Sequence, residues 1–183
     1  MPIPRFDLEY TALIIVDMQE KLVPVMDQQP SLIKQIRILI QGCGILKIPI
    51  LITEQYPQGL GKSIEPITQV LPDETYCQEK KSFSALTEQV YQQLISRGIR
   101  QVILAGIETH ICLQQTALDT LSKGLITGIV VDATSSRNPM DKKIAIKRMI
   151  QAGAIPLTSE SILFELQKTA ASETFKAISK LVK

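Results

Sequence analysis

A three-layer α/β/α fold, doubly wound around a central, mainly parallel six-stranded sheet, is what the sequence predicts, and three observations predict it. Short apolar runs alternate with segments of helical period along the whole chain. The runs are continuous rather than alternating, as in Thr11-Ala-Leu-Ile-Ile-Val16, which marks strands covered on both faces. No repeat, low-complexity tract or linker interrupts the 183 residues, so one domain over 1–183 is expected.

The first strand, about 11–17, is a β-branched and aliphatic run that ends on Asp17. Helical periodicity follows over about 30–46, where Cys43 is expected as a packed core residue. A strand at about 48–53 leads into the longest irregular stretch, Glu54 to Asp73, which carries Pro57, Pro66 and Pro72 and is expected to wall or cover a site. A strand at about 74–79 holds Cys77 and ends on Lys80 and Lys81, before a helix over about 84–97. The strand at about 101–106 breaks at Gly106 and delivers Cys112 into the first turn of a helix over about 110–123. A strand at about 127–132, a helix over about 139–152 and a strand at about 154–158 continue the right-handed crossover series. Two helices, about 160–168 and 172–182, close the chain.

Composition bounds the function. With 45% hydrophobic and 21% charged residues, the chain supports one substantial core without disulfide staples. The net charge is +2 and the lysines are scattered, so no electrostatic footprint for nucleic acid is present and none is expected as a partner. No apolar run is long enough to cross a bilayer, and Met1-Pro-Ile-Pro-Arg5 lacks the apolar core of a signal peptide, so a cytoplasmic protein is expected. Three cysteines, an odd count, fit free thiols in a reduced compartment.

Ligands in doubly wound sheets sit beyond the carboxyl ends of the strands. Asp17, a lysine at 80 or 81, and Cys112 stand at three such ends. A helix N-terminus and a nearby ammonium both favour a thiolate, and a carboxylate is able to take the thiol proton. Against this stand plainer readings: Cys112 as a small buried hydrophobe, Asp17 as a helix cap, and the lysines as solvated charges.

The strings Thr53-Glu-Gln-Tyr-Pro-Gln-Gly-Leu-Gly61, Gly106-Ile-Glu-Thr-His-Ile-Cys112, Asp132-Ala-Thr-Ser-Ser-Arg137 and Thr158-Ser-Glu160, in this order, bring the chain close to a known family. It resembles the isochorismatase-like cysteine hydrolases over almost its whole length, and within them the isochorismatase-domain-containing subgroup. The resemblance implies Asp17 as proton acceptor, Lys80 rather than Lys81 as the ammonium, and Cys112 as nucleophile. It also implies a cis Ile107–Glu108 peptide, with the backbone N–H groups of Glu108 and Cys112 forming an oxyanion hole. Relatives that cleave a vinyl ether are similar but carry glycine where this chain has Cys112, which argues for acyl transfer. The Asp-x-His-x-x-His metal site of nicotinamidases is replaced by Thr53-Glu-Gln-Tyr-Pro57, and His110 is the one histidine, so no metal and no cofactor are expected.

The expected function is therefore a metal-independent cysteine hydrolase acting on a small-molecule amide, carbamoyl or related acyl compound. Gln19, Glu54, Gln55, Tyr56 and Phe83 are candidate substrate contacts. His110 either lines the pocket or supports its loop, and Arg137 either meets an anionic substrate group or, the favoured reading, forms a structural salt bridge. The rivals are a ribonuclease-like activity, a redox sensor built on Cys112, and an idle member of the fold. A homo-oligomer is expected as well, with contacts from Ile162, Leu163, Leu166, Phe175, Ile178 and Leu181, against the alternative that these residues pack on their own sheet.

Overall fold

A computed structural model describes residues 3–183. The Met1–Pro2 end, part of the segment read for a targeting leader, lies outside the described residues. In chain order the elements are β1 (Thr11–Val16), a 3-10 turn at Val23–Val25, α1 (Gln29–Ile45), β2 (Ile50–Gln55), α2 (Pro57–Leu60), α3 (Glu65–Thr68), β3 (Tyr76–Lys80) and α4 (Glu88–Ser96). There follow β4 (Gln101–Ile107), a π-type turn at Thr109–Leu113 running directly into α5 (Gln114–Ser122), β5 (Ile126–Ser135), α6 (Pro139–Gln151), β6 (Ile155–Leu157), α7 (Ser159–Gln167) and α8 (Phe175–Leu181). All five strand pairs are parallel, in the order β3-β2-β1-β4-β5-β6. This is the predicted three-layer architecture.

Residues of each strand alternate between two cores. Leu13 and Ile15 of β1 with Ile103, Ala105 and Ile107 of β4 face α1, α7 and α8, whereas Ala12, Ile14, Val16, Val102 and Leu104 face α4, α5 and α6. Both faces are dry, which accounts for the unbroken apolar runs.

Three expectations are corrected. The helix after β3 begins at Glu88 rather than near Ser84, because the carbonyls of Ser82 and Phe83 turn toward the Lys80 ammonium and Thr87 supplies the cap to the Val90 N–H at 3.2 Å. β2 begins at Ile50, after Pro49, and runs on to Gln55 because Gln55 still pairs with Lys80 of β3. Four of the six residues expected at an oligomer contact pack at home: Ile162, Leu163, Leu166 and Ile178 are fully buried against α1 and the sheet, whereas Phe175 and Leu181 are partly buried. Val25, in the turn after β1, and Met140 and Ile144, one turn apart on α6 after β5, are among the exposed apolar residues instead.

The pivot of the central strands is Gly106. Its φ is +114°, its register partner is Val16, and a Cβ there would overlap the Val16 carbonyl oxygen. The β4–β5 register shifts at this point, and β5 runs to Ser135, longer than the sequence suggested. Gly106→Ala is expected to destabilise the fold by about 2–4 kcal/mol through both strain and overlap. A urea titration checks it; a midpoint equal to that of the parent contradicts this account of the β1–β4 contact.

Candidate active site

β1, β3 and β4 end together, and each hands over one ionisable group. Asp17 follows β1 in a left-handed conformation, φ 52°, which turns its carboxylate across the strand ends. Thr53 of β2, beside β1, donates to Asp17 Oδ1 at 2.7 Å, and Lys80 at the end of β3 donates to Asp17 Oδ2 at 2.7 Å. The side chains of Asp17 and Lys80 are both 0% exposed. A buried ion pair of this kind holds only when its remaining hydrogen-bonding capacity is filled. Here it is filled by Gln55 Oε1 at 2.8 Å and by the carbonyls of Phe83 and Ser82 at 3.0 and 3.1 Å. Lys81, the alternative to Lys80, is exposed.

Cys112 enters from the far side. The Ile107–Glu108 peptide is cis, as the family resemblance implied, and the chain then winds into the π-type turn that holds Cys112. Thr109 Oγ1 meets Thr134 Oγ1 at 2.7 Å, and Thr134 donates to the Gly106 carbonyl at 2.8 Å, which fixes the turn to β5. Thr116 donates to the Cys112 carbonyl at 2.7 Å and accepts from the Ala85 N–H at 2.8 Å, tying the turn to the Lys80 loop. Cys112 is buried, 7% exposed, and lies close enough to Asp17 and Lys80 for both charges to act on its thiol.

The electrostatics differ from the sequence expectation. Burial pushes the Cys112 thiol up to about 12, the Asp17 carboxylate pushes the same way, Lys80 opposes it, and Glu108 adds to the rise. Burial first, and the Asp17 carboxylate second, favour a resting thiol over a preformed thiolate. Desolvation alone pushes Cys43, on the buried face of α1, to about 12 as well.

Other expected site residues divide into braces and rim. Gln19 is fully buried, accepts from the Gln55 N–H at 2.7 Å, and donates to the carbonyls of Gln55 and Gly61 at 3.0 and 2.7 Å. Glu54 accepts from the Ser63 N–H at 2.7 Å and from Lys62 at 3.3 Å. Both are corrected from substrate contacts to braces of the 54–63 segment, which is therefore pinned rather than a free lid. Tyr56 and Phe83 are about half exposed at the rim, and Tyr56 joins Pro57, Gln58, Glu79, Lys80 and Lys81 around a cavity of about 220 Å³. A larger apolar groove of about 680 Å³ between α1 and α8 has no acid, base or nucleophile in its lining except Lys180, and it lies away from Cys112. His110 Nδ1 meets Ser136 Oγ at 2.9 Å, so it supports the loop after β5. Arg137 Nε pairs with Glu108 at 3.0 Å, which is the structural salt bridge favoured for it. Thr53 and Thr116 escaped sequence reading, although Thr53 lies in a quoted string and the parallel register that sets it beside Val16 identifies it.

Among the described residues no group of three His, Cys, Asp or Glu side chains is arranged to hold a metal ion, and no helix is long and apolar enough to cross a membrane.

The family model for the isochorismatase domain matches residues 11–161. The chain is 40% identical over 182 residues to isochorismatase domain-containing protein 2 of Danio rerio, covering 98% of this chain and 90% of that protein. It is 38% identical over 174 residues to isochorismatase domain-containing protein 1 of Salmo salar, covering 94% of this chain but spanning only 61% of that protein. Among solved structures it is similar to the MAR1 ribonuclease of Caenorhabditis elegans, with a TM-score of 0.93 and 37% identity over 98% of this chain and 92% of the other.

Two outcomes follow from this geometry. Lys80→Met is expected to cost about 3–5 kcal/mol, since it leaves Asp17 charged and unpaired in the interior, and chemical denaturation measures it. Because Cys112 and Cys43 bind their protons more tightly when folded, the stability they add is full below about pH 9 and is lost as pH rises toward about 12. Cys112→Ala is therefore expected to flatten the fall in melting temperature between pH 9 and 11; an unchanged slope contradicts the raised thiol.

Proposed function

The chain belongs to the isochorismatase family, and on that footing we propose that it is a metal-independent hydrolase of small amide, carbamoyl or related acyl substrates, acting on a non-peptide C–N bond through a cysteine thioester. The observation that carries this reading is the buried row of Cys112, Asp17 and Lys80, in which the carboxylate is held at 2.7 Å by the ammonium and both charges act on the thiol. The row is neutral overall at rest, and moving the thiol proton onto Asp17 keeps it neutral, so a thiolate forms beside a buried ammonium with no net charge added to the interior.

In the proposed cycle the Cys112 sulfur attacks the substrate carbonyl as its proton passes to Asp17. The carbonyl oxygen becomes an oxyanion received by the backbone N–H groups of Glu108 and Cys112. Collapse breaks the C–N bond, Asp17 returns the proton to the leaving amine, and a thioester remains on Cys112. Asp17 then takes a proton from water as its oxygen attacks the thioester; cleavage of the C–S bond releases the acid and the proton returns to sulfur. Lys80 keeps its charge throughout. Tyr56 and Phe83, both about half exposed, are the candidate contacts for the substrate. A homo-oligomer joined through Met140, Ile144 and Val25 fits the apolar residues left exposed.

The likeness to the ribonuclease of Caenorhabditis elegans raises RNA cleavage as a second reading. The amide reading is preferred, because the group beside the nucleophile is a buried anion and phosphodiester chemistry places more negative charge there.

Turnover of a panel of small amides and N-carbamoyl compounds is expected to survive exhaustive chelation and to fall by about three orders of magnitude or more in Cys112→Ala and Asp17→Asn alike, since the two act as one unit. Ammonia release by the parent and each variant decides it. Turnover that persists in Cys112→Ala, or that EDTA abolishes and zinc restores, overturns the proposal. RNA cleavage lost in Cys112→Ala, with no amide turned over, favours the second reading.

A further inference from the structure

The Lys80 ammonium has three hydrogens and four acceptors: Asp17 Oδ2 at 2.7 Å, Gln55 Oε1 at 2.8 Å, and the carbonyls of Phe83 and Ser82 at 3.0 and 3.1 Å. No hydrogen is left over for the Cys112 sulfur or for a substrate. Lys80 therefore acts through its charge and through Asp17, and the position of that charge matters more than its reach. Two of the four acceptors are carbonyls of the chain that immediately follows Lys80 and travel with it. The other two are side chains from neighbouring strands, and Gln55 is the neutral one.

Gln55 is itself immobilised. Its N–H and C=O are both taken by Gln19, at 2.7 and 3.0 Å, and its own amide group donates to the Lys81 carbonyl at 2.9 Å. That last bond orients the amide so that its oxygen, not its nitrogen, faces the ammonium. Gln19 is fully buried at the end of β1, two residues beyond Asp17, so one bracket runs from the β1 end through the β2 end to the β3 end. Among the described residues Asp17 is the only carboxylate within ion-pair distance of Lys80.

We propose that Gln55 is a positioning residue: held by Gln19, it fixes the Lys80 ammonium against Asp17, and by being an amide rather than a carboxylate it leaves Asp17 as the sole anion on that ammonium. The inference deepens the reading of Cys112 as a nucleophile activated by Asp17. Besides Asp17 from β1 and Lys80 from β3, the charged group facing Cys112 is Glu108 from the end of β4, which is paired with Arg137. Glu54, adjacent to Gln55, is held by Lys62 and the Ser63 N–H instead.

The test needs no substrate. In a Cys77→Ser background, which removes the exposed thiol, the rate of Cys112 alkylation by iodoacetamide is followed by intact mass between pH 7 and 10. Gln55→Glu places a second anion on the ammonium, so loss of the thiol proton becomes harder and the rate is expected to fall about tenfold or more at every pH. Gln55→Met keeps the bulk and removes the acceptor, and a smaller fall of about threefold is expected as the ammonium loses its lateral restraint. A structural role alone would lower the melting temperature of both variants and leave both rates as in the parent; that result overturns the proposal. The second measurement is the proton–nitrogen signal of the Lys80 ammonium. In the parent it is expected to be protected from exchange by its buried bonds, and in Gln55→Met to exchange at least about threefold faster. Equal exchange in parent and variant overturns the inference even if Cys112 resists alkylation, an outcome that counts separately against the nucleophile reading.

Discussion

The ion pair between Lys80 and Asp17, fully buried where the strands end, is the constraint on which the rest of the structure depends. An isolated charge in such a place is costly by several kcal/mol, so each charge demands the other and both demand filled hydrogen bonds. The demands are met locally by Thr53 and Gln55 of β2 and by two carbonyls after β3. They explain why α4 starts late, why β2 runs to Gln55, and why Asp17 takes a left-handed conformation. Three neighbouring strands are in this way locked in register at the end that carries the candidate site.

The fold was legible because its signals are local. Dry strands read as continuous apolar runs, and six of them separated by helical segments leave few topologies. Element ends were less legible for a physical reason: the Ser82–Leu86 stretch looks like the start of a helix by composition, yet its carbonyls serve a lysine whose partner lies 63 positions earlier in the chain. The closing helices misled in the opposite way. Ile162, Leu163 and Leu166 look surplus in sequence, but α1 needs a partner on its face of the sheet and α7 supplies it.

At the site, Asp17, Lys80 and Cys112 were legible as residues at strand ends, and the resemblance to a family resolved the choice between Lys80 and Lys81. The charge state of the sulfur was not. Sequence places a helix start and an ammonium near Cys112, and both favour a thiolate; it does not reveal that the Asp17 carboxylate opposes them or that burial dominates. Likewise the braces Gln19 and Glu54 look like wall residues because polar groups near a catalytic loop usually do, whereas in the fold their hydrogen bonds are spent on backbone.

In the proposed mechanism, a neutral row of thiol, carboxylate and ammonium is a nucleophile that is switched on by the arrival of a carbonyl rather than one that stands ionised. The account therefore turns on whether a covalent acyl group reaches Cys112 in spite of its raised resting proton affinity. The most direct measurement is peptide mapping by mass spectrometry after acid quench of the protein mixed with an activated small acyl compound. The account predicts an acyl group on Cys112 within the turnover time, absent in Asp17→Asn. An acyl group found only on the exposed Cys77, or full turnover with no modified cysteine, would contradict it.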